Sequence, residues 1–156
     1  MSFSVVINIQ REFETSSSPD KVFGLLADVS RSASHFPKVD KLVDLGDNTF
    51  RWEMEKISIA SYTLQQTIYA SRYTADAAAR KVTWTPVQGV GNAIVEGAWV
   101  ITPKEAGTKV ALKTKGDLTV EFPSFLEFII SPLVVMEFTS MIDRYLANLQ
   151  ETFSSL

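Results

Sequence analysis

Three kinds of hydrophobic pattern follow one another along this chain. The first combines a strand with short helices. Residues 4–13 are rich in Val, Ile and Phe and run into Glu14-Thr15-Ser16-Ser17-Ser18, which predicts a strand closed by a polar turn. Ser18 then stands as an N-cap before Pro19 at the first helical position, and Val22, Phe23, Leu25 and Leu26 make an apolar stripe, so a helix is expected over 19–27. Residues 31–36 suit one or two further helical turns, stopped by Pro37, whose ring disfavours helix at the residue before it.

From Val39 the period changes to two. Residues 39–45 and 49–57 flank Gly46-Asp47-Asn48, a hairpin signal. In the second run Phe50, Trp52 and Met54 alternate with Arg51, Glu53 and Glu55, so one face belongs to the core and the carboxylates of Glu53 and Glu55 belong to the wet face. Further strands are expected at 61–73, 81–86, 93–101 and 108–120, punctuated by turn residues around 76–80, 88–92 and 103–107. Pro86 fits a strand end, because it cannot donate a ladder hydrogen bond. The total is seven strands, mostly antiparallel neighbours.

The last third returns to a helical period. Residues 124–130 predict one segment, Ser131-Pro132 a new N-cap and start or a bend, and Leu133, Phe138, Met141, Tyr145, Leu149 and Phe153 one buried face. One strand, two short helices, six strands and a long helix make an α+β domain spanning 1–156.

Composition narrows the function by exclusion. Eighteen acidic against 15 basic side chains give a formal charge of −3 with no basic run, so nucleic acid is not an expected partner. There is no cysteine, and the opening residues lack the basic and long apolar regions of a signal peptide, which gives a cytoplasmic expectation. His35 is the sole histidine, too little for a metal site, and no nucleophile elbow or phosphate loop is present. No catalytic residue, metal or cofactor is therefore expected. A lone histidine before Phe-Pro suits a helix end or the surface. Glu137 interrupts a very apolar stretch, where a buried carboxylate needs a partner or a raised pKa; a wet helix edge is its simpler place. The run 125–136 is too short and interrupted to span a bilayer, but it suits a peripheral membrane contact as well as a core helix. Oligomeric state has no signature here.

Three Trp, four Tyr and ten Phe exceed what one sheet face requires. Trp52, Trp84 and Trp99 fall on the inward register with Met54, Leu64, Val82 and Leu112, and core packing explains any one of them as well as cavity lining does.

Several segments carry a family resemblance: Pro19-Asp20-Lys21-Val22-Phe23 leading to Leu26-Ala27-Asp28-Val29, Phe36-Pro37-Lys38-Val39, Gly97-Ala98-Trp99-Val100-Ile101 before Gly107-Thr108-Lys109-Val110, and Phe138 with Tyr145-Leu146-Ala147-Asn148-Leu149. Together they resemble the START-like polyketide cyclase/dehydrase and lipid-transport superfamily, also called SRPBCC, over nearly the whole chain. The coenzyme Q-binding branch is nearest at the first helix and the Phe-Pro motif. The resemblance implies a helix-grip fold, a curved seven-stranded antiparallel sheet around the C-terminal helix with a hydrophobic cavity between them. It further implies a lipid, isoprenoid, quinone or polyketide-like ligand, held by Phe36, Trp52, Met54, Leu64, Trp84, Trp99, Leu112, Leu133, Glu137, Met141 and Tyr145. A cyclase/dehydratase-type enzyme and a protein-interaction module are the alternatives.

Overall fold

The computed structural model describes residues 2–59, 62–63 and 66–156. Strand β1 (Phe3–Thr15) alternates as its sequence requires: Phe3, Val5, Ile7 and Ile9 are buried and the residues between them are exposed. Helix α1 (Pro19–Ala27) starts where Ser18 Oγ accepts a hydrogen bond from the Lys21 N–H at 3.3 Å, with Pro19 in the first turn. Asp28 closes α1 and caps the next helix, its Oδ1 accepting from the Arg31 N–H at 3.2 Å. Helix α2 therefore occupies Val29–Ala33 rather than 31–36.

The strands that follow are β2 (Val39–Gly46), β3 (Thr49–Met54), β4 (Ser58–Ile59), β5 (Tyr62–Thr63), β6 (Ile68–Asp76), β7 (Lys81–Pro86), β8 (Ala93–Lys104) and β9 (Gly107–Val120). Seven of the strands form one curved antiparallel sheet in the order β1-β9-β8-β7-β6-β3-β2, and β4 pairs with β5 alone. Gly46, Asp47 and Asn48 all take positive φ, 84°, 54° and 58°, as the tight β2–β3 hairpin demands.

Two expectations need correction here. The run 49–57 stops at Met54. The run 61–73 is not one strand, since β6 begins only at Ile68. Asn92, in the turn before β8, holds the chain just ahead of β6: its side chain donates to the Gln66 carbonyl at 2.8 Å and accepts from the Ile68 N–H at 2.9 Å. These bonds satisfy backbone groups that a continuous strand would give to a ladder.

A 3₁₀ turn (Ser124–Leu126) leads into helix α3 (Glu127–Ser154), which lies in the concave face of the sheet and completes the helix-grip fold. The helix continues through Ser131 and Pro132, against the expected break. Pro132 sits early in α3, so it removes a single N–H, the one that would pair with the Phe128 carbonyl. Pro132 and Phe128 are both exposed, where water can take over that carbonyl. Ile130, Val134, Met141, Tyr145, Leu146, Leu149 and Phe153 form the buried face. On the outer side Phe125, Phe128 and Met136 are 70%, 77% and 65% exposed, so the first half of α3 is apolar on two faces. By length and composition alone, Ser124–Ser154 would be apolar enough to cross a membrane. Arg11, near the middle of β1, bonds Asp143 on α3 at 2.8 Å and ties helix to sheet edge.

The core falls into two clusters. One joins β1, α2, β3 and the first half of α3, and the other joins α1, β7, β8, β9 and the second half of α3. Phe36, Tyr73 and Ile142 pack against both.

Candidate functional site

Between the two clusters lies a cavity of about 120 Å³. Six aromatic side chains from six segments close a belt around it. Phe36, after α2, meets the Trp52 ring edge-on at a centroid distance of 5.8 Å. Trp52 on β3 donates from Nε1 to the Tyr73 hydroxyl at 2.9 Å. Tyr73 on β6 packs on Trp84 of β7 at 5.8 Å, and Trp84 on Trp99 of β8 at 6.4 Å. Trp99 meets Tyr145 of α3 at 5.9 Å, and Tyr145 returns to Phe36 at 4.9 Å. Contacts of this kind contribute about 0.5–1.5 kcal/mol each beyond area burial. Tyr69 stacks on the outer turn of the belt, 11° from parallel with Trp52.

The sheet positions these rings by register. Trp52 stands opposite Tyr69, Tyr73 opposite Trp84, and Trp99 opposite Leu112, so inward side chains of neighbouring strands meet in pairs. Of the residues expected at the site, Phe36, Trp52, Met54, Trp84, Trp99, Leu112 and Tyr145 lie on the cavity wall. Leu133, Glu137 and Met141 do not. The α3 residues on the wall are Phe138, Ile142 and Tyr145, and a helix turning about 100° per residue carries Met141, Glu137 and Leu133 progressively further round from that line. Met141 is instead buried in the first cluster, Leu133 packs on its edge, and Glu137 accepts a 2.6 Å bond from Lys38 Nζ. Leu64 lies outside the described residues.

Tyr69, Tyr73 and Ser32 were missed by sequence. A strand through 61–73 with Leu64 inward turns both tyrosines outward, and the break before Ile68 resets that phase. Ser32 reaches the wall from α2 and shares a short hydrogen bond with the Tyr145 hydroxyl. No pattern in α2 marks it.

Burial governs the electrostatics of this wall. It pushes the Tyr145 phenol up to about 12, partly offset by the bond from Ser32, and raises Tyr69 and Tyr73 above the usual phenol range. All three are neutral phenols at physiological pH. Asp117 contributes to the wall, but it shares the β9 register of Lys113 and Lys115, opposite to that of Leu112 and Leu118, which turns its side chain to the outer face. His35 is elsewhere: Nδ1 donates to the Arg31 carbonyl at 2.9 Å, Nε2 bonds Thr152 Oγ1 at 2.8 Å, and its own carbonyl accepts from Asn148 at 2.9 Å. It fastens the end of α2 to α3.

No curated protein sequence matches the chain. Among solved structures it is similar to a protein from Thermus thermophilus, with 17% identity, TM-score 0.66 and 96% of this chain and 97% of that one covered. It is similar to a START superfamily protein from Mycobacterium smegmatis, at 13% identity, TM-score 0.64 and 95% and 97% coverage. The Zhui aromatase/cyclase from a Streptomyces species shares 15% identity at TM-score 0.56, covering 96% and 92%. These likenesses establish the fold. The sequence itself matches the profile described as polyketide cyclase / dehydrase and lipid transport over residues 6–154. A match over nearly the whole chain, on a helix-grip fold with an aromatic-walled cavity, places this protein in the polyketide cyclase/dehydrase and lipid-transport family of the START-like superfamily.

Proposed function

We propose that this protein binds and carries a hydrophobic small molecule, whose ring sits inside the aromatic belt. The observation that supports this best is the cavity of about 120 Å³ between the two core clusters, walled by six aromatic side chains from six segments. A concave, mostly apolar wall with few polar groups is what a small-molecule site presents to a hydrophobic ligand.

Volume orders the ligand classes. A cavity of about 150 Å³ accommodates benzene, so the space here, about 120 Å³, is of the order of one small ring, and a substituted ring such as a quinone headgroup requires the walls to give a little. A whole lipid or fused polycycle requires the walls to part. In this reading the protein works in the cytoplasm. The outer stripe of Phe125, Phe128 and Met136 is where it would touch a lipid surface. No Lys or Arg occurs between Lys115 and Arg144, so that surface would be a neutral one.

Carriage is favoured over cyclase chemistry by the titrating groups. General base catalysis needs a group that takes a proton near the operating pH. The wall offers phenols that burial holds protonated.

The test is titration of the purified protein with single-ring apolar compounds, followed by intrinsic tryptophan fluorescence and thermal unfolding. A ligand at a hundred times its Kd adds about 2.7 kcal/mol, which raises Tm by roughly 5–10 °C for a chain of this size. Ala93→Leu, which extends a buried wall residue into the void, should abolish both responses without lowering the melting temperature of the free protein. Replacing His35 by Ala should leave affinity within about twofold. If no compound shifts either signal, the carrier reading fails; conversion of any of them would put the enzyme first.

A further inference from the structure

The cavity wall is not uniformly apolar, and its polar atoms are unequally employed. Ser32 and Tyr145 satisfy each other. The Tyr73 oxygen accepts from Trp52 Nε1, which leaves its own O–H proton without an acceptor among the described residues. The Tyr69 hydroxyl has no hydrogen-bond partner among the described residues at all, although it lines the same cavity. Tyr69 and Tyr73 lie on one face of β6, four residues apart. Two phenol O–H groups without an acceptor among the described residues therefore belong to one largely apolar cavity wall. A ligand that carries an acceptor can take up such a donor, and a hydrocarbon cannot.

We infer that Tyr69 and Tyr73 form a donor subsite that selects a neutral single-ring compound bearing carbonyl oxygens over a hydrocarbon or a charged ring of the same shape. The inference rests on the cavity being a ligand site. It adds the polarity of the ligand and the residues that sense it. Three features of the wall carry it. Both donors are phenols kept in the O–H form by burial, so they offer protons to an acceptor and repel a further donor only weakly. No Lys, Arg or His lines the cavity among the described residues, so a carboxylate would enter without a countercharge and at a heavy desolvation penalty. The volume is of the order of one small ring.

Acetophenone, α-methylstyrene and benzoate make the test. The first two differ in a carbonyl oxygen against a methylene of nearly equal size, and the third replaces the methyl by a negative oxygen. Each is titrated into the intact wild-type protein and into Tyr69→Phe and the double variant Tyr69→Phe/Tyr73→Phe, with Kd taken from tryptophan fluorescence. One net hydrogen bond is worth about three- to tenfold in affinity. Acetophenone should bind the wild type tighter than α-methylstyrene by that factor, and benzoate weakest. The preference should shrink in Tyr69→Phe and vanish in the double variant, with affinity for α-methylstyrene unchanged. A second measurement does not depend on affinity: the ¹³C carbonyl resonance of bound, labelled acetophenone should move to lower field in the wild type and return in the double variant.

Equal affinity for acetophenone and α-methylstyrene in the wild type overturns the donor subsite while leaving the cavity reading standing. So does a preference that survives in the double variant, or benzoate binding best. Failure of all three to bind overturns the cavity reading, and the subsite with it.

Discussion

Trp84 lies over Gly97, its partner across the β7–β8 pair, and the belt depends on that close approach. A Cβ at position 97 would stand 2.5 Å from Trp84 Cζ2 and 2.5 Å from the Lys113 carbonyl oxygen, distances that no relaxed structure holds. The Lys113 contact is to backbone, so moving the indole alone does not suffice, and the β8–β9 pair would have to shift as well. Gly97→Ala is therefore expected to push Trp84 toward the cavity and to cost about 1–3 kcal/mol, the usual range for overpacking. Urea unfolding gives the energy, and a changed near-ultraviolet circular dichroism spectrum would locate the disturbance at the tryptophans. Unchanged stability would mean that Trp84 has room the structure does not show. Sequence marked Gly97 and Trp99 as neighbours in one motif, but nothing in it tells that the glycine serves the tryptophan of the adjacent strand.

Among the elements, local signals located most boundaries correctly. Ser18 and Pro19 start α1, and Gly46-Asp47-Asn48 turn the first hairpin, because capping and left-handed turns are decided within a few residues. Helix α3 shows where a local rule misleads. Ser131-Pro132 has the chemistry of a helix start, yet the helix runs through it, held by Ile130 and Val134, both fully buried on either side. Packing outweighs one lost hydrogen bond. Pro132→Ala restores the missing N–H at an exposed position, so thermal stability should rise, by about 1 kcal/mol. A fall in both helicity and melting temperature would show instead that the proline anchors the start of α3. The exposed Phe125, Phe128 and Met136 leave this half of the helix apolar on its outer side, a feature that periodicity alone reported only as an excess of hydrophobic residues.

The whole molecule responds to pH through the same tyrosines that line its cavity. A phenol in the unfolded chain ionises near pH 10, roughly, whereas Tyr145 is pushed up to about 12 and Tyr69 and Tyr73 are raised as well. Each folded-state value lies above the unfolded one. The stabilisation is therefore complete below pH 10 or so and is lost as pH rises through the folded values, since only the unfolded chain gives up its protons in that window. Melting temperature should be insensitive to these groups at pH 7–9 and should fall steeply by pH 11, each phenol removing about 1.4 kcal/mol per pH unit there. These three of the four tyrosines should add little tyrosinate absorbance in the native protein at pH 11 and should add theirs on unfolding. The triple replacement of these tyrosines by Phe should flatten the profile.

Most of the elements and the inward register of Trp52, Trp84 and Trp99 were legible in the chain, and each rests on short-range causes: alternation along a strand, stripes along a helix, caps and turns. The family and the helix-grip architecture were legible only through the resemblance of particular segments. What those residues enclose is a matter of long-range packing. The phase of β6 is held in part by Asn92, more than twenty residues further along, whose side chain bonds the Gln66 carbonyl and the Ile68 N–H at the start of the strand that carries Tyr69 and Tyr73. The rotation of α3 about its axis sets Phe138, Ile142 and Tyr145 on the cavity and leaves Met141 in solid core, a choice between adjacent apolar positions that periodicity cannot make. The cavity opens between two packed clusters that are joined only through shared side chains such as Phe36, Tyr73 and Ile142, and its shape depends on side chains from six segments at once.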